Sequence, residues 1–240
     1  MRSKAAAVAF LFGLCAALAQ AQPSEARPEG RLYEPGAFDR LELDGSAKVK
    51  LVQGERDQVF IVGGEDVQRN VEIELNNGRL RIHPSGGWKF WSSSRLQVEV
   101  QMRRLSQLTI SGASDVLAVG PIRAEKLSVH ISGAGQVRLD ELKAEQLRFD
   151  ISGAGDGQLG GQVEQLSLSV SGKGKLLAEQ LRASSATVSI SGVGNANLWV
   201  TDSLRVSISG IGNVDYWGQP QQVRRSTSGL GSITARGEKR

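Results

Sequence analysis

Apolar and polar residues alternate one by one along most of the chain, and the alternation restarts about every twenty residues. Leu127, Val129 and Ile131 alternate with Ser128 and His130. The same pattern returns as Leu147, Phe149 and Ile151 around Arg148 and Asp150, then Leu166, Leu168 and Val170 around Ser167 and Ser169. It continues at Ala186, Val188 and Ile190 and at Leu204, Val206 and Ile208. Alternation with β-branched residues on one side predicts strands with one buried face. Each such run is followed by Ser-Gly, at Ser111, Ser132, Ser152, Ser171, Ser191, Ser209 and Ser228, with spacings of 18 to 21 residues. A second glycine follows two places later in six of the copies, while the first copy has Ser114 there. Glycine reaches positive φ without steric cost, so the paired glycines predict a tight corner of that kind. A second short alternating run follows the corner, as in Val137 and Leu139, Leu176 and Ala178, Val214 and Tyr216, or Ile233 and Ala235.

A unit of this size cannot bury its own apolar face, but stacked units can. The expected fold is therefore all-β: a single-stranded, right-handed parallel β-helix (solenoid) with coils of about 20 residues, each strand pairing with its equivalent one coil away. A leucine-rich repeat would need an Asn ladder and a helical side, and a propeller would need about 40 residues per blade. An eighth, diverged copy lies upstream, where Leu41 to Leu51 overlays Val129 to Leu139, with Asp44 in the serine place and Gly45 in the glycine place. Alternating runs at 59–62, 71–75, 80–82 and 96–100 fill the interval, and Asn76-Asn77-Gly78 predicts a hairpin turn. Residues 36–236 are expected as one β-helix domain, with 36–104 as irregular coils and cap, 105–236 as regular Ser-Gly coils, and 237–240 as a tail.

The N-terminus changes the setting. Arg2 and Lys4 precede an apolar stretch from Ala5 to Leu18, and Ala19-Gln20-Ala21 is a small-x-small site. This predicts a secretory signal peptide over 1–21 and a flexible leader over 22–35 with Pro23, Pro28 and Pro35. The single cysteine, Cys15, falls in the signal, so the mature chain is expected to hold together without disulfides. The formal charge of +4 falls to +2 without Arg2 and Lys4, too balanced for a nucleic-acid partner. No transmembrane segment is expected in the mature chain. Localisation is expected to be exported: periplasm or extracellular/cell surface.

Chemistry is sparse. His130, Asp150 and Ser169 fall in one outward column, but Asp150 stands in the middle, where a triad needs its histidine. His83 has no thiol or second histidine near it in sequence, so no metal site is expected. The column Asp115, Gln136, Asp156, Lys175, Asn195, Asn213, Ser232 makes no stack of carboxylates for calcium. No helix follows the Gly-x-Gly units to bind phosphate. Neither catalytic residues nor a cofactor are expected. One segment breaks the pattern: Trp88, Phe90 and Trp91 lie within four residues, flanked by Gly and Ser. They are the candidate ligand-binding residues, for a glycan or an envelope protein partner, or else the lid over one end of the solenoid. Trp199, Tyr216 and Trp217 are expected to plug the other end, and open ends would permit oligomers by end-stacking.

The opening FDRLELDGSAKVKLVQG, the middle LQVEVQMRRLSQLTISGASDV and the serial ISGAG, VSGKG and ISGVG units resemble the putative auto-transporter adhesin, head GIN domain family. The resemblance covers roughly residues 36 to 236. It implies a right-handed β-helix on a secreted or envelope protein and an adhesion-type role. The 240 residues leave no length for a membrane barrel, which needs at least about eight strands of about ten residues, so self-transport is not expected. A binding or adhesion-type module is the leading functional expectation. A scaffold assembling through its ends is the alternative, and a carbohydrate-active enzyme on a β-helix the second alternative.

Overall fold

The computed structural model describes residues 29–85 and 96–239. The expected signal peptide over 1–21 lies outside the described residues. The regular part is a stack of parallel coils built from β10 (Ile122–Ile131), β11 (Ala134–Ile151), β12 (Ala154–Val170), β13 (Lys173–Ile190), β14 (Val193–Ile208) and β15 (Ile211–Trp217). Each pairs in parallel with its equivalent in the next coil, with Ile131 beside Ile151, Ile151 beside Val170 and Val170 beside Ile190. The chain is a β-solenoid with coils of about twenty residues, as the repeat predicts.

Parallel pairing in register turns every inward position into a column. Val129, Phe149, Leu168, Val188 and Val206 form one, and all are buried. The coil has three inward runs, for example Val137 and Leu139, Leu142 and Ala144, then Leu147, Phe149 and Ile151, all buried. The chain bends between the first two at a register shift between Leu139 and Leu142. Burying these columns in one continuous core supplies the stability that a disulfide-free chain needs. The last coil, β16 (Gln222–Thr227) with β17 (Leu230–Ala235), pairs on one side only among the described residues, and its side chains are mostly exposed.

The N-terminal part is less regular than the periodicity predicts. The coil of β2 (Arg40–Leu43) and β3 (Ala47–Gln53) does not end the stack. It lies between β8 (Gln107–Ile110) with β9 (Asp115–Ala118) on one side and β6 (Arg79–Pro84) with β7 (Leu96–Met102) on the other. The chain therefore adds the outermost coil after its inner neighbour and then crosses back. The overlay of Gly45 on the glycine column holds, since Gly112 packs directly on the Gly45 backbone.

Around the outermost coil the pairing turns antiparallel. β4 (Gln58–Val62) pairs with β7, and β5 (Val71–Asn76) pairs with β6 through the expected hairpin, with Asn77 at φ 49° and Gly78 at φ 75°. A five-residue helix, α1 (Glu65–Arg69), lies between β4 and β5. The expectation of a flexible leader over 22–35 is corrected for its end. Gly30–Tyr33 form β1, antiparallel to β4, and the Tyr33 hydroxyl donates to Gln68 Oε1 at 2.9 Å. Backbone donors and acceptors on the free edge of β4 favour a further strand, and two prolines upstream do not prevent it.

Candidate functional site

The Ser-Gly corners form one edge of the solenoid, and their geometry differs from the sequence expectation. None of the seven Ser-Gly glycines has a positive φ; in that column only the diverged Gly45 does, at φ 94°. Close approach explains the glycines instead. A Cβ on Gly153 would lie 2.1 Å from the Gly133 carbonyl oxygen, and on Gly172 or Gly192 it would lie 2.0 Å from the glycine oxygen one coil below. Backbone stacks on backbone there, leaving no room for a side chain. The second glycine points inward beneath the core column. On Gly155 a Cβ would lie 2.7 Å from Ile131 Cγ2.

Two outward columns flank the inward glycine. The first runs Ala134, Ala154, Lys173, Val193, Ile211, Leu230, each beside its neighbour in register. Its last three members stand out to solvent, 46%, 52% and 72% exposed. The second runs Asp115, Gln136, Asp156, Lys175, Asn195, Asn213, Ser232, as read from the sequence. Its side chains tie coil to coil. Asp156 Oδ1 accepts from the Lys175 backbone N–H at 2.9 Å, Asn195 Oδ1 from that of Asn213 at 3.1 Å, and Asn213 Oδ1 from that of Ser232 at 3.1 Å. Between the columns runs a shallow groove of about 450 Å³, with Lys173 and Lys175 on one coil and Asp156 and Asn195 on its neighbours.

The proposed ligand residues Trp88, Phe90 and Trp91 lie outside the described residues. The strands that flank them are described: β6 pairs with β2 and β7 with β3, so β6 ends and β7 begins at this same corner edge. His130, Asp150 and Ser169 do share one outward column. Asp150 is committed to Arg148, whose Nε lies 2.6 Å from its Oδ2, and this hydrogen bond holds the guanidinium above its ordinary pKa. The three are not arranged as a triad. Of the aromatics expected to plug the far end, only Tyr216 does so, buried beneath Arg225, whose guanidinium stands 5.4 Å over its ring. Trp199 and Trp217 sit side by side in register and half-buried rather than in the core. Lys239 Nζ stands 4.9 Å from the Trp199 ring centre, and burial lowers the pKa of its ammonium.

The structure also gathers a group that the sequence reading missed. In the β5–β6 hairpin Glu72 lies opposite His83, with Glu74 diagonal to it. His83 Nε2 is 3.5 Å from Glu74 Oε1 and 3.8 Å from Glu72 Oε2. The signal was present: the turn Asn77-Gly78 places Asn76 opposite Arg79, and counting outward from that pair puts Glu72 opposite His83. A search for cysteines or a second histidine passes over a site made across a hairpin.

Residues 37–220 match the family model described as putative auto-transporter adhesin, head GIN domain. The chain belongs to this family. No curated protein sequence matches it. Solved structures share the fold of this head GIN domain. A putative adhesin from Bacteroides fragilis is 22% identical, covers 86% of this chain and 96% of its own, and gives a TM-score of 0.83. A putative lipid binding protein from Parabacteroides distasonis is 19% identical over 88% of this chain and 98% of its own, with a TM-score of 0.66. A putative adhesin from Parabacteroides merdae is 19% identical over 88% and 96%, with a TM-score of 0.61. No helix among the described residues is long and apolar enough to cross a membrane.

Proposed function

We propose that this head GIN domain is an exported, non-enzymatic, adhesion-type binding module of the cell envelope that receives an extended glycan along its corner edge. The observation that supports this is the exposed line Val193, Ile211, Leu230. Apolar side chains stacked in register at a surface are a poor choice for solubility and a good one for contact. Beside them run the amides of Asn195 and Asn213, and next in the column Lys175, which together offer donors and acceptors along the same axis. The coils repeat at about 4.8 Å, so a partner lying along the axis meets the same pair of columns at every step. Trp88, Phe90 and Trp91 fall in sequence between β6 and β7, and their rings are of a kind suited to stacking on sugars.

The test is a glycan array, followed by titration of any hit against two variants. Val193→Ser with Ile211→Ser removes the apolar line, and Trp88→Ala with Trp91→Ala removes the aromatic pair. Each is expected to weaken binding at least tenfold with the melting temperature within about 3 °C of wild type. Binding unchanged in both would overturn the assignment of the edge. A second reading has its own support: β16 and β17 leave a coil edge without a further strand among the described residues, and such an edge can template another chain. A scaffold of this kind would show concentration-dependent association in sedimentation velocity, which a monomeric binder would not.

A further inference from the structure

We infer that Glu72, Glu74 and His83 form a binding site for a divalent transition-metal ion of the zinc class, on the outer face of the hairpin that covers the N-terminal end of the solenoid. The tautomer of His83 is the first part of the argument. Its Nδ1 lies 3.2 Å from the Pro84 carbonyl oxygen, which can only accept, so Nδ1 carries the proton. In the neutral ring Nε2 then presents a lone pair, the arrangement in which a backbone carbonyl orients a metal-ligating histidine. That Nε2 is buried and makes no hydrogen bond. It faces two carboxylate oxygens, so in this tautomer three electron-rich atoms converge.

The distances are the second part. A hydrogen bond from Nε2 to a carboxylate would measure about 2.7–3.2 Å. The separations are 3.5 and 3.8 Å, and all three ligand atoms lie within 4.8 Å of one another. Two ligands each about 2.1 Å from a tetrahedral zinc ion stand about 3.4 Å apart, so the two histidine–carboxylate separations suit a shared ion. Arg81, between Glu74 and Glu42 in register, does not fill the gap. Its Nε donates to Asp44 Oδ2 at 2.6 Å, and this bond holds its guanidinium above the ordinary pKa. The glutamate side chains are about half exposed, which leaves a fourth position open to water or to a ligand atom of a partner. An imidazole in the set favours zinc, cobalt or nickel over calcium, which takes oxygen ligands.

The experiment uses the tag-free mature chain, stripped with a chelator and titrated with Zn²⁺ by calorimetry, with Ca²⁺ as the control ion. One zinc per chain and no calcium is the expected result, with a rise in melting temperature as zinc is added. Co²⁺ in place of zinc should give the visible absorption bands of a tetrahedral nitrogen–oxygen site. Glu74→Gln, at an exposed position, should keep the fold and weaken zinc at least about tenfold, and His83→Ala should remove the cobalt bands. No zinc uptake by the wild type would overturn the site. Zinc uptake undiminished in Glu74→Gln and His83→Ala would place the ion elsewhere and overturn it equally.

Discussion

The carbonyl oxygen of Gly133 occupies the space where a side chain on Gly153 would have to begin, 2.1 Å from the position of its Cβ. The contact is backbone on backbone, so neither partner can swing aside. Gly153→Ala is therefore expected to force adjacent coils apart at the corner, at about 3 kcal/mol or more. A domain of this size would lose roughly 6–12 °C of melting temperature for such a change. Val193→Ala, one place further along an equivalent corner and 46% exposed, should stay within about 0.5 kcal/mol. A thermal melt of the two variants decides. If Gly153→Ala melts like wild type, the coils are not in contact there.

Ile151 and Ser169 test the columns. Ile151 is 1% exposed between Ile131 and Val170, and Ser169 lies on the outward column beside Asp150. Ile151→Asp buries an unpaired charge and should cost over about 4 kcal/mol, enough to unfold much of the domain at ambient temperature. Ser169→Ala should cost under about 0.5 kcal/mol. Equal shifts in circular dichroism melts would reject the assignment of inside and outside.

These columns were legible because alternation and a repeat of fixed length place every side chain once parallel stacking is granted. The reason for the corner glycines was not legible. Positive φ and close approach both demand glycine, and only the position of Gly133 one coil below Gly153 separates them. The order of the first coils was hidden for a related cause. The residues of β2 and β3 read as an early repeat, but nothing in Leu41 or Leu51 says that β6 and β7 will be laid beneath them later. Antiparallel cover strands such as β1 and β4 alternate like any others, so their direction could not be read. At the candidate site the polar column from Asp115 to Ser232 was readable in full, whereas Val193, Ile211 and Leu230 look like core residues in the sequence and only their register with the exposed Ala134, Ala154 and Lys173 puts them on the outward side.

Phe149 and Gly157 are matched in size across the core. A Cβ on Gly157 would lie 2.7 Å from Phe149 Cζ and 2.6 Å from Leu176 Cδ1. The coil that follows the one with the large ring thus gives up a side chain on the facing wall, where the coils on either side of it carry Val137 and Leu176. Gly157→Ala should cost about 1–3 kcal/mol by overpacking. Phe149→Leu should cost about as much by leaving a void. Together the two should cost less than the sum, with a coupling of at least about 0.5 kcal/mol in urea denaturation. Strict additivity would show that the ring does not occupy that space.

Ser114 stands where six other coils have glycine, and consensus reasoning would replace it. The structure predicts that this replacement harms the protein. Ser114 is fully buried, and its hydroxyl accepts from the Ala47 backbone N–H at 3.1 Å and donates to the Gly45 carbonyl at 3.2 Å. Both partners belong to the diverged corner beneath, where Gly45 takes its positive φ and the regular stacking of Ser-Gly on Ser-Gly is interrupted. The serine supplies bonds that the irregular corner leaves unmade, while the later corners are stacked on copies of themselves and have no such vacancy. Ser114→Gly removes the hydroxyl from a buried place and also loosens the unfolded chain, so the two effects add. The expected loss is about 1–3 kcal/mol. Ser114→Ala, which spares the unfolded state, should lose somewhat less. The reverse change at Gly135, to serine, should be worse than either, because its Cβ would lie 2.4 Å from the Ser114 carbonyl oxygen. Chemical denaturation of the three variants checks the order. A Ser114→Gly protein more stable than wild type would mean that the two hydrogen bonds contribute nothing and that the first corner is an ordinary one.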